Sequence, residues 1–225
     1  MKLYLQVFCA GLSLLTASWF SSAMAQIEND KLSTTIELCL PSGRANQAFK
    51  NYLNGLVNVY PKLQYKVFPN WFVAAGPRYQ YSTISEFKVP EKMNGGMHVV
   101  GGNVEIGWSK WQTPRFALEV GLRAGVAQHI FITDSTRSTQ IQRINAGYLE
   151  PTLTFVLASD EAVAYRWIVG YNITGFGFKP WNIGINTNGG YQLSDFNKAT
   201  QSILIGFGMT YYFGNTRSDV FIDEE

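Results

Sequence analysis

The sequence predicts an all-β fold, an eight-stranded antiparallel up-and-down transmembrane β-barrel. Three observations predict it. Apolar residues alternate with small or polar ones at a period of two through most of the chain. Long and short connections take strict turns between the alternating stretches. Charge is scarce, at 15 % of residues, while 46 % are hydrophobic and 15 % aromatic; a soluble domain carries about a quarter charged residues. Aromatics, Gly, Asn, Gln and Thr fill the gap, which suits a wall with one apolar face and one uncharged polar face. The net charge of +2 leaves no general footprint for nucleic acid.

Residues 1–25 read as a secretory signal peptide. Lys2 supplies the positive start, an apolar run extends to Phe20, and Ala23-Met24-Ala25 forms a small-residue cleavage site. The rival, a retained membrane-anchoring helix, does not account for that site. Cys9 leaves with the signal, so Cys39 has no disulfide partner. No later apolar run reaches the roughly 18 residues that a helical span needs.

Eight strands follow, at 33–40, 55–67, 71–83, 97–110, 115–130, 147–158, 164–176 and 200–214. The fifth illustrates the pattern: Phe116, Leu118, Val120, Leu122, Ala124 and Val126 share one face, and Glu119, Gly121, Arg123 and Gly125 share the other. A helix would scatter both sets around its circumference. The short connections carry turn residues at Pro69-Asn70, Thr113-Pro114 and Asp160. No linker divides the chain, so residues 26–214 form one barrel domain and 215–225 a short periplasmic tail. Even strand number, short turns on one side and long loops on the other define bacterial membrane barrels.

Capacity decides which face points outward. An eight-stranded interior is just wide enough for its own side chains or one small ligand. The apolar set includes Trp71, Tyr79, Trp108, Phe116, Phe155, Tyr165, Trp167, Tyr211 and Phe213, too much for that space. The soluble rival, a ligand-carrying barrel with its apolar face inward, is therefore rejected. Trp71, Trp108, Tyr165, Trp167, Tyr211 and Phe213 fall at the short-turn ends, and Tyr79, Tyr81 and Tyr171 toward the long-loop ends. These are the places of two aromatic girdles.

The polar face then lines the lumen. Its charges, Glu37, Lys62, Lys66, Arg78, Glu105, Glu119, Arg123, Glu150 and Arg166, are expected to form a network. Counting heights from the periplasmic ends couples Glu37 with Lys62, Arg78 with Glu105 and Arg123 with Glu150. Charge also sorts by compartment: the long loops carry eight cations against four carboxylates, and the periplasmic side the reverse. Basic outer loops suit the phosphates of lipopolysaccharide.

Residues 33–214 resemble the small outer-membrane β-barrels of Gram-negative bacteria, similar in size to the outer-membrane protein A and X barrels. The likeness rests on the strand-and-loop rhythm and on an end such as Gly206-Phe207-Gly208-Met209-Thr210-Tyr211-Tyr212-Phe213. Members commonly finish on an aromatic residue, whereas this chain continues from Gly214 to Glu225.

Catalytic, cofactor and metal residues are expected to be none. Gly95-Gly96 and Gly189-Gly190 are loop glycines, no His/Cys set has metal spacing, and Asn172-Ile173-Thr174 is an accidental sequon. The enzyme alternative, a lipid hydrolase or acyltransferase, would use His129, facing the lumen with Glu150 beside it, but lacks a placed serine. His98 falls on the outer face without a carboxylate. The expected role is structural or surface-interacting, through four outer loops containing Phe49, Tyr52, Phe87, Trp181, Tyr191 and Phe196. A porin-like narrow channel is the alternative. Expected partners are outer-membrane lipid, lipopolysaccharide and a surface ligand or envelope protein, with the chain a monomer in the outer membrane.

Overall fold

Strands that alternate apolar and polar residues can hide neither face alone, and a closed ring in lipid satisfies both together with every backbone hydrogen bond. The computed structural model describes residues 31–89, 93–138, 140–159, 162–185, 187, 190–196 and 198–213. The expected signal peptide at 1–25 and the expected tail at 215–225 lie outside the described residues. Eight strands, β1 (Leu32–Gly43), β2 (Leu53–Phe68), β3 (Trp71–Ile84), β4 (Gly95–Thr113), β5 (Phe116–Thr133), β6 (Gln142–Ala158), β7 (Val163–Thr174) and β8 (Thr200–Phe213), form a closed barrel in sequence order. All neighbours are antiparallel, and β1 closes on β8 from Leu32 opposite Phe213 to Gly43 opposite Ser202.

The strands are rich in Val, Ile, Thr, Tyr and Leu, side chains that pack well on a pleated surface. Burial alternates along them. In β1, Ser33, Thr35, Glu37 and Cys39 are buried while Ile36, Leu38 and Leu40 face outward. Val126 is 72 % exposed and Phe207 70 %, a greasy exterior that no soluble surface tolerates at this extent. The aromatic positions follow the same parity: Trp71 stands opposite Trp108 on the outer wall, and Tyr165, Trp167, Tyr211 and Phe213 lie outward near the same end. Tyr79, Tyr81 and Tyr171 share the outer face nearer the long connections.

Several strands depart from the expected limits. β6 begins at Gln142 rather than 147, β1 runs to Gly43 rather than 40, and β4 extends from Gly95 to Thr113. The β6 extension lies beyond the apolar belt, and its polar residues Arg143 and Asn145 face outward while Ile144 and Ala146 face inward. Gln128 and Asn145 face each other across β5 and β6 and share a 3.0 Å hydrogen bond. β7 stops at Thr174, before the expected 176, and Phe176 lies just beyond it against the His129 ring.

Two local features shape the wall. The β2–β3 ladder lapses between Val59–Tyr79 and Leu63–Ala75. That register sets Pro61 opposite Pro77, and neither residue has an N–H to give. Inside, Gly121 makes room: a Cβ there would lie 2.5 Å from Glu105 Oε1 and 2.8 Å from Thr152 Oγ1.

Candidate functional site

The sequence places four carboxylates and four cations on inward positions of β1 to β7, and the barrel's width forces them into contact. Glu37, Glu105, Glu119, Glu150, Lys62, Arg78, Arg123 and Arg166 are all buried. Register supplies the first approximation, since Glu105 stands opposite Arg123 and Arg123 opposite Glu150. Arg123 is the hub. Its Nη2 lies 2.6 Å from Glu37 Oε2, its Nε 3.0 Å from Glu105 Oε2 and its Nη1 3.2 Å from Glu150 Oε1. Lys62 Nζ bridges Glu37 Oε1 at 2.9 Å and Glu105 Oε2 at 2.6 Å.

Arg166 extends the network toward the short-turn end. It pairs with Glu119 through Nη2, and its Nε lies 3.7 Å from Glu37 Oε1. Its Nη1 donates to Thr210 Oγ1 at 3.2 Å, while Ser109 donates to Glu119 at 3.2 Å. On the outer side, Tyr60 donates its hydroxyl to Glu150 Oε2 at 2.7 Å and Asn172 its amide at 3.0 Å. The Arg78 guanidinium stacks over the Tyr148 ring at 4.4 Å and donates to Gln80. Like numbers of opposite charges, each hydrogen-bonded, are the condition under which buried ions are tolerated.

The geometry brings Glu37 to Lys62 and Arg123 to Glu150. It corrects the third expected couple: Arg78 does not meet Glu105. Glu105 stands opposite Ala74, whereas Arg78 stands opposite Gly101, higher in the barrel, with Glu150 3.9 Å away as its carboxylate. Strand tilt selects diagonal partners that height counting misses. Lys66 also lies apart, half-buried at the short-turn rim beside Lys31, Gln64 and Tyr212, outside the ion pairs among the described residues.

His129 is buried in the upper lumen, its ring 4.5 Å from Phe176, and neither ring nitrogen has a hydrogen-bond partner among the described residues. The expected Glu150 neighbour is held by Arg123, Tyr60 and Asn172 instead. His98 faces outward, with Nδ1 3.0 Å from the Tyr79 hydroxyl. Among the described residues no group of three His, Cys, Asp or Glu side chains could hold a metal ion.

Above the charges sits an apolar cap that the sequence did not announce. The first and last long connections fold inward over the barrel mouth. Phe49 and Tyr52, from the short helix Gln47–Tyr52, pack with Phe178, Ile183, Ile185 and Phe196 onto Met97, Val99 and Phe131 at the strand tops. Phe178 meets both Phe49 and Phe131 at 5.8 Å between ring centroids. Hydrogen bonds fasten the loops: Asn46 Nδ2 donates to the Phe178 carbonyl at 3.0 Å and Thr133 Oγ1 to the Ile183 carbonyl at 2.9 Å. Burial lifts the Tyr52 phenol above its ordinary range, with Tyr191 adding to the shift. Phe49, Tyr52 and Phe196 are therefore interior residues, a correction to their expected place on the loop surface. Phe87 is fully exposed and Trp181 44 % exposed. The signal for the cap was the apolar content of loops that should be polar, together with Asn46 as helix cap, accepting from the Phe49 N–H at 3.0 Å.

A closed eight-stranded antiparallel ring with an apolar exterior and a charged interior is the architecture of the small outer-membrane barrels. No family model matches the chain, and no curated protein sequence matches it. Solved structures do: the outer-membrane protein OprG from Pseudomonas aeruginosa is 12 % identical, with 83 % of this chain and 97 % of that one covered at a TM-score of 0.51. Neisserial surface protein A is 11 % identical, covering 81 % and 97 % at 0.49, and the attachment invasion locus protein Ail of Yersinia pestis 13 %, covering 82 % and 99 % at 0.48. At such identities the likeness is one of fold.

Proposed function

We propose that this chain is an integral outer-membrane protein of a Gram-negative bacterium, with its interior closed to solutes, working as a structural and surface-interaction protein through its outer loops. In this reading the signal is removed after Ala25, residues 26–214 form a monomeric barrel, and 215–225 form a periplasmic tail. The aromatic residues named above make the two girdles, and the lumen charges serve to fill and lock the barrel. The observation that carries the reading is the burial of four carboxylates and four cations against one another, beneath an apolar cap built from the chain's own loops. Phe87 and Trp181 are the aromatic groups left for a partner outside. The reading is non-enzymatic: His129 has no orienting carboxylate, and no serine hydroxyl hydrogen-bonds to it among the described residues.

The test is electrical. Purified barrel in planar bilayers should give no steady conductance. A stable wild-type conductance overturns the closed interior. That outcome would favour a narrow passive channel, a reading to which the polar atoms of Asn58, Asn103 and His129, buried without hydrogen-bond partners among the described residues, lend support as places for water.

A further inference from the structure

β1 and β2 stop pairing at Cys39 and Asn58, although β1 continues to Gly43 along β8 and β2 begins at Leu53 along β3. Pro41 still abuts Gly55 beyond that last pair, and an open cleft of about 410 Å³ lies over the two strand ends. Its lower edge is apolar: Leu40 is 64 % exposed at the top of the lipid-facing wall. Its upper edge is cationic. Arg44 follows the end of β1, Lys50 sits in the last turn of the helix Gln47–Tyr52, and Lys88 comes from the next long connection, so three separate segments deliver one charge each. Among the described residues no carboxylate lines the cleft and none of the three cations has an ion pair. All three are exposed, so water screens their mutual repulsion, and together they present a cationic rim to an anion. Gly55 lets the two strands stay in contact beneath the cleft, because a Cβ there would lie 2.1 Å from the Pro41 carbonyl.

We propose that this cleft is a binding site for a phosphorylated glycolipid of the surrounding leaflet, with Arg44, Lys50 and Lys88 holding the phosphates of lipid A and Leu40 meeting its acyl chains. Arginine offers a planar fork to phosphate oxygens and lysine a point charge, and the two together suit a pair of phosphates on one sugar headgroup. An apolar edge directly beneath a cationic one matches a molecule whose chains begin where its phosphates end. The site rests on the reading that the long connections face the outer leaflet, and it adds the ligand and the residues that hold it.

The experiment is native mass spectrometry of the full barrel released from detergent doped with bisphosphorylated lipid A. Wild type should retain one lipid A, and dephosphorylated lipid A should not be retained. The triple variant R44Q/K50Q/K88Q should lose affinity by about a hundredfold, at roughly fivefold per cation near a phosphate surface. A control losing the same charge elsewhere on the outer rim, R137Q/R143Q/K198Q, should bind as wild type. Equal losses in the two triples, or equal retention of the dephosphorylated lipid, would overturn the site in favour of diffuse attraction or of chain contacts. Displacement by millimolar inorganic pyrophosphate with no dependence on acyl chains would overturn the glycolipid as occupant. Orientation is read separately, by labelling Lys50→Cys in intact cells with an impermeant maleimide. Failure to label overturns the outward placement of the loops, whereas labelling together with lost discrimination between the triples overturns the cleft alone.

Discussion

At the scale of the residue, Leu122 and Arg123 show how little separates lipid from lumen. They are consecutive on β5, one 42 % exposed on the outer wall and the other 1 % exposed at the centre of the ion pairs. Leu122→Arg puts a charge into the apolar belt and should destabilise the barrel by about 2–4 kcal/mol. Arg123→Ala strands three carboxylates and should cost about 3–5 kcal/mol. Urea unfolding in lipid vesicles measures both, and an unchanged midpoint for Leu122→Arg would invert the face assignment. Partner choice is testable in the same assay. Glu105 touches Arg123 at 3.0 Å but not Arg78, so a double-mutant cycle should give a coupling of about 1–3 kcal/mol for Glu105 with Arg123. Glu105 with Arg78 should give less than half of that, and the reverse order would reject the network as drawn.

At the scale of the element, the strands were legible in the sequence because lipid on one side and a narrow polar lumen on the other impose alternation at every membrane-level position. The same cause explains where legibility ended. Beyond the apolar belt the phase reverses: on the outer reach of β6 Arg143 and Asn145 face outward and Ile144 and Ala146 inward, so the rule of apolar outside and polar inside does not reveal it. Lumen membership could be read from parity, but partners could not, since Arg78 reaches Glu150 across strands that are not sequence neighbours of β3. The β2–β3 seam offers a test of the backbone itself. The Pro61 carbonyl points at β3, as the 2.0 Å approach to a Cβ on Gly76 shows, so an N–H at residue 61 would face Pro77. Pro61→Val with Pro77→Val should restore two ladder bonds and stabilise the barrel by about 1–2 kcal/mol. Slower amide exchange at the flanking residues Tyr60 and Lys62 should accompany it, and no gain in either measurement would mean that the lapse has another origin.

At the scale of the whole molecule, the interior is layered along the barrel axis: polar rim, ion pairs, aromatic cap. The cap escaped a reading by strand pattern because Phe49, Phe178 and Phe196 sit in connections with no periodicity, and only the fold brings them to one place. Phe178 touches rings from the first loop and from β5, so Phe178→Ala should cost about 3–5 kcal/mol while leaving strand content unchanged by circular dichroism. A variant of unaltered stability would show the loops to be independent of the barrel they cover.

The join between β1 and β8 has a consequence in time. Seven of the eight seams connect strands adjacent in the chain and can form as hairpins, whereas this one waits for the two most distant strands to meet. Until then the sheet has two bare edges, each a template for the edge of another molecule. Gly206 lies on that last seam, and a Cβ on it would stand 2.2 Å from the Leu38 carbonyl. Gly206→Ala should therefore slow closure more than it weakens any hairpin, and refolding at high protein-to-lipid ratio should yield dimers in which β1 of one copy has captured β8 of another.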